Sequence, residues 1–222
     1  MTDASHDPAH WQPRLAALAA ASAGNDGAHD ASHLARVWRT AQALLVSHPE
    51  ANPLVVMAAC YLHDLVNLPK NHPERSQASR RSAQLARHQL AWMGFAPELL
   101  DGVAHAIEAH SYSAAIPAET IEAKIVQDAD RIDALGAVGL ARVFYIGGQL
   151  GRPLAHPDDP LAADRPLDDT VWTLDHFAVK LAALPGMMQT AAGRSVAERR
   201  VALLMDFRTR FAQEWLGEAA DG

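Results

Sequence analysis

Cysteine is almost absent. The 222 residues hold one, Cys60, and it sits inside an apolar run. That excludes a disulfide framework and makes a reducing, cytoplasmic setting the expectation. Long hydrophobic runs are missing too: no uninterrupted apolar stretch approaches the roughly 18–20 residues that a membrane span requires. The opening Met1-Thr2-Asp3-Ala4-Ser5-His6-Asp7 has neither the basic region nor the apolar region of a secretory signal. Positive charge is in deficit, with 19 Lys and Arg against 26 Asp and Glu for a formal net charge of −7. The surface as a whole therefore does not attract nucleic acid polymers or an anionic membrane, and a nucleotide would need a local basic patch. There is no strand-period run of convincing length, no repeat and no low-complexity tract.

What is present reads as a globular, all-α chain, with 49% hydrophobic and 20% charged residues. Turn signals and helical spacing predict helices over 11–23, 30–47, 54–66, 76–93, 97–110 and 119–135 or beyond. The prolines and glycines between Gly147 and Pro166 predict a long irregular segment, after which helices resume over 172–184 and 195–216. The helix over 54–66 is apolar nearly all round, so it is expected at the centre of the fold.

That central run ends in His63-Asp64, a polar pair that is costly to bury without partners. One imidazole nitrogen and one carboxylate oxygen suit a divalent ion. His33 shares a helical face with Val37, Thr40 and Leu44, and so points with the apolar stripe. A third helix carries Asp128, Asp130 and Asp133 beside Arg131. Asp128 falls on the stripe of Ile121, Ile125, Ile132 and Leu135, while Asp130 falls with Val126 and Ala137. The two carboxylates are about 200° apart on an ideal helix, so periodicity alone does not choose between them. The plainer readings are a hydrogen-bonded core histidine for His33, a solvated acidic face paired with Arg131 and Arg142, and an Asp128 that only orients an imidazole. Three buried helix faces each offering a ligand weigh against them.

His33, then His63-Asp64, then Asp130 resemble the H…HD…D signature of the HD-domain metal-dependent phosphohydrolases. The runs from Ser32 to Val37 and from Ile125 to Ala137, with Asp175-His176-Phe177 and Lys180-Leu181, resemble the bacterial YedJ/YpgQ-type branch over about residues 28–215. The resemblance implies an N-terminal segment and helix over 1–27, an HD-domain helical core over 28–143, and an extension over 144–222 whose irregular segment and helices pack on that core. It implies Asp130 as the last ligand, so that His33, His63, Asp64 and Asp130 hold one divalent ion, Mn before Ni, Fe, Mg or Zn. It further implies hydrolysis of nucleoside triphosphates to monophosphate and pyrophosphate. The other readings are a 5′-nucleotidase-type phosphomonoesterase, a two-metal phosphodiesterase drawing on His88, His105 or His110, and a nucleotide sensor without turnover.

Lys70, His72 and Arg75 follow the His-Asp pair on a loop, where Lys70 and Arg75 are candidate phosphate contacts. Asp64, Lys70, Arg75 and His110 are the candidate catalytic residues. Arg165, flanked by the pairs Asp158-Asp159 and Asp168-Asp169, sits in a segment read as a lid or rim. The expected partner is a small phosphorylated substrate, a nucleotide first, with a homodimer left open.

Overall fold

A computed structural model describes residues 4–22, 31–68 and 72–217. Lys70 lies outside the described residues. Every regular element among the described residues is helical, and the chain divides into two compact units, residues 1–130 and 131–222.

In the first unit α1 (Pro8–Ser22), α2 (Ala31–Leu45), α4 (Ala78–Trp92) and α5 (Leu100–His110) all pack against α3 (Pro53–Leu62). The reason is in the composition of α3: every residue from Leu54 to Leu62 is buried. Its start is well specified. Asn52 accepts at Oδ1 from the Leu54 and Val55 N–H groups, and Pro53 sits in the first turn, where its missing N–H costs nothing. The Asn52 N–H in turn donates to the Glu122 carboxylate on α6 (Ile121–Asp133), at 2.8 Å. Trp11, Phe95, Met57, Leu90 and Ile107 fill the space around α3, the first two meeting edge to face at 4.8 Å. Burial of side chains of this size contributes about 1.5–3 kcal/mol each.

The end of α3 departs from expectation. The helix stops at Leu62 and His63 is its C-cap, so the His-Asp pair lies just beyond the last turn and not within it. The helix expected to run to Leu135 or beyond is also interrupted. α6 ends at Asp133, Gly136 takes φ +72, and α7 (Gly136–Gln149) starts anew. A left-handed residue cannot continue a right-handed helix, and glycine adopts that conformation without the penalty a side chain would bring.

In the second unit, α7 packs against α9 (Ala191–Trp215). Phe144, Phe177, Phe207 and Phe211 form an aromatic cluster that the exposed Trp215 extends, with successive ring centroids 5.5–6.0 Å apart. The helix expected over 172–184 is instead the five-residue α8 (Asp175–Val179) followed by a 3-10 stretch, Leu181–Met187. The segment from 150 to 174 is irregular but pinned. The Arg165 guanidinium makes two parallel bonds to the buried Asp175 carboxylate, at 2.7 and 2.8 Å. The Asp168 N–H donates to the same carboxylate, Asp159 accepts from the Ala163 and Asp164 N–H groups, and Arg208 and Trp215 hold the Leu161 and Pro157 carbonyls.

Two outcomes test this account. A Cβ at Gly139 would run into the Ala134 carbonyl in the turn after α6. Gly139→Ala is therefore expected to destabilise by about 3 kcal/mol, seen as a fall of several degrees in Tm by differential scanning calorimetry. Asp169 is nearly buried, and although burial pushes its carboxyl up, its bonds to Lys180 and His176 outweigh that and hold it below the usual carboxylate range. Its folded pKa lies below its unfolded one, so its contribution is complete at neutral pH and is lost as pH falls through the carboxylate range. Asp169→Asn should lower Tm at pH 7 and lose that difference on acidification; an equal deficit at both pH values would exclude the linkage.

Candidate metal centre

Four elements of the first unit bring their polar ends to one place. α2 supplies His33, the end of α3 supplies His63 and Asp64, the end of α5 supplies His110, and α6 supplies Asp130. The Asp130 carboxylate lies 3.4 Å from His33 Nε2 and 3.7 Å from His63 Nε2. The Asp64 carboxylate lies 3.6 Å from His63 Nε2 and 3.8 Å from His110 Nε2. Of the two carboxylates that periodicity left open, it is Asp130 that reaches the histidines. Asp128 is wholly buried.

The imidazoles of His63 and His110 are set in the same way. Each stands at the C-terminal end of its helix and places Nδ1 against the carbonyl three residues back, Cys60 at 3.0 Å and Ile107 at 2.6 Å. An Nδ1–H donated to a carbonyl leaves the lone pair on Nε2, and Nε2 is the atom aimed into the cluster. Backbone carbonyls fix these two tautomers. The His63 ring is 1% exposed and its Nε2 has no hydrogen-bond partner. A buried polar atom left so costs about 1–3 kcal/mol, which a bound cation would remove.

The electrostatics point the same way. Burial pushes the His63 imidazole pKa down, against the pull of Asp64 and Asp130. Burial pushes both carboxyls up, but the facing imidazoles outweigh it. His33, His63 and His110 hold Asp130 well below the ordinary range, and His63 and His110 hold Asp64 below it. A neutral His63 and ionised Asp64 and Asp130 are the protonation states that metal ligation needs. α3 and α5 also both end here, and helix C-termini favour cations. The residues present therefore fit a divalent ion.

The remaining sequence-derived candidates are not among these ligands. Arg75 Nη1 donates to the Leu68 carbonyl and the Asn67 side chain, closing the loop after the His-Asp pair. His88 is exposed, and His105 Nε2 accepts from the Glu119 N–H. Of His88, His105 and His110, only His110 joins the cluster. Cys60 is buried beneath it, and burial raises its thiol pKa, so it is no nucleophile. Sequence reasoning passed over Gln127, whose Nε2 donates to the Ala109 carbonyl at 2.6 Å and ties α6 to the end of α5. Only its position one helical turn before Asp130 on a buried helix could have singled it out.

Comparison with known proteins follows from this geometry. Residues 30–135 match the HD domain. YpgQ of Bacillus subtilis (strain 168) is 33% identical over 183 residues, which is 81% of this chain and 80% of that protein. The crystal structure of B. subtilis YpgQ in complex with ADP superposes with a TM-score of 0.72 at 29% identity, covering 95% of this chain and 96% of that one. An HD-superfamily hydrolase from Bacillus thuringiensis superposes at 0.71 and 28% identity, covering 93% and 97%.

A divalent ion is expected to stabilise the chain through this cluster. At a hundred times its Kd, Mn should add about 2.7 kcal/mol, or about 5–10 °C in Tm for a chain of this size. His63→Ala should abolish the shift in a thermal-melt titration of chelator-treated protein. A shift that survives the substitution would place the ion elsewhere.

Proposed function

The chain belongs to the HD domain family and is a metal-dependent phosphohydrolase of that superfamily, and from that premise we propose that it hydrolyses nucleoside triphosphates to monophosphate and pyrophosphate. The observation that carries the reading is the cluster of imidazole lone pairs and carboxylates at the end of α3. The nucleotide part rests on YpgQ, a relative over most of the chain that binds ADP in its crystal structure.

In this proposal His33, His63, Asp64 and Asp130 hold the ion. Two imidazoles and two carboxylates suit Mn, Fe, Ni or Zn better than Mg. The ion, when bound, lowers the pKa of water and polarises a phosphoryl group. Asp64 is the more exposed half of the His-Asp pair, at 22%. Its two oxygens face His63 and His110, and the carboxylate would both bind the ion and orient the attacking water. The Cys60 and Ile107 carbonyls keep His63 and His110 in the tautomer that points Nε2 inward. Arg75 bonds to Asn67 and Leu68, a few residues after Asp64, and Lys70, close to them in sequence, is the proposed phosphate contact. The water oxygen bonds to the α-phosphorus, the bond from that phosphorus to the bridging oxygen breaks, and pyrophosphate departs with the bridge.

Hydrolysis of a nucleotide panel in ¹⁸O-water with added Mn tests this. Triphosphates should yield monophosphate carrying the label and unlabelled pyrophosphate, and Asp64→Ala should lower turnover at least about a hundredfold with its circular dichroism unchanged. Free phosphate released from monophosphates would replace the reading with a nucleotidase, and label in pyrophosphate would move the attack off the α-phosphorus.

A further inference from the structure

The four-ligand centre leaves His110 without a task, although its surroundings are as constrained as those of His63. Its side chain is about nine-tenths buried at the end of α5. Nδ1 is committed to the Ile107 carbonyl, so Nε2 carries the lone pair. That lone pair faces the Asp64 carboxylate at 3.8 Å, and the ring meets His63 edge to face at 4.7 Å between centroids. At that separation the two atoms are too far apart for a hydrogen bond, and a cation between them would bind both. Two ligands each about 2.1 Å from one ion stand at most about 4.2 Å apart, and the separation of His110 from Asp64 falls inside that limit, as do those of His33 and His63 from Asp130 and of His63 from Asp64. His63, His110 and Asp130 also form one set whose ligand atoms lie within 4.8 Å of one another. The position of His110 is held from behind, because Gln127, one turn from Asp130 on α6, grips the Ala109 carbonyl.

We propose that His110 is a fifth protein ligand of the ion, resting on the metal-centre reading above. The resting centre is then three imidazole nitrogens and two carboxylate oxygens, with a single position left on a six-coordinate ion. A third imidazole moves preference further from Mg toward the later first-row metals.

Pulsed electron paramagnetic resonance of the full chain loaded with one equivalent of Mn counts bound imidazole nitrogens directly and needs no turnover. The wild type should show three, and His110→Ala and His110→Gln should each show two, with Mn affinity lowered about 10–100-fold. Free imidazole added to His110→Ala should restore the third nitrogen. His110→Gln keeps the side-chain volume and carries the test should the alanine variant fail to fold. Two nitrogens in the wild type, unchanged in both variants, would overturn the fifth ligand and leave the four-ligand centre standing. A wild type that binds no Mn would remove the metal centre and this proposal together.

Discussion

A buried imidazole nitrogen with no hydrogen-bond partner, set between two carboxylates, is the constraint on which the rest depends. His63 Nε2, buried and without a hydrogen-bond partner, stands 3.6 and 3.7 Å from two carboxylates that its own neighbourhood keeps ionised. Such an arrangement is unfavourable by itself, and the fold has to supply the energy that holds it together. It does so with α3, a helix buried on all sides, capped at one end by Asn52 and carrying the His-Asp pair at the other. A cation turns the same arrangement from a cost into a gain, which links occupancy of the centre to stability of the first unit.

The backbone does more of this positioning than the side chains. Two helices end at the centre, and in each the carbonyl three residues before a histidine fixes which nitrogen of the ring faces inward. A histidine placed mid-helix would have no such carbonyl to spare, since those carbonyls are already bonded within the helix. Ending α3 at Leu62 and α5 at His110 is thus part of the chemistry, and the negative ends of both helices add to the field that favours a cation.

The helical class and most helix positions were legible because apolar spacing and proline or glycine stops are local signals. The central burial of α3 followed from an unbroken apolar run. What was not legible depended on contacts distant in sequence or on a single backbone angle. The left-handed Gly136 splits α6 from α7, a break that composition does not announce. The expected helix over 172–184 is mostly something else: the Arg165 guanidinium and the Asp168 N–H both bond to the Asp175 carboxylate and hold the chain irregular up to that residue. At the centre, His33 and the His-Asp pair stood out as polar groups on apolar faces. The choice between Asp128 and Asp130 needed either a family resemblance or the three-dimensional arrangement, since both lie on a helix buried on two sides. Gln127 left no trace, because the carbonyl it reaches is 18 residues away.

The central claim is that one divalent ion is held by the inward-facing nitrogens and carboxylates at the end of α3. Equilibrium dialysis of the chelator-stripped chain against Mn, read by elemental mass spectrometry, tests it most directly. The account requires one ion per chain, and none for a variant in which Asp64 and Asp130 are both replaced by asparagine. Two ions per chain, or one ion that the double variant still retains, would contradict it.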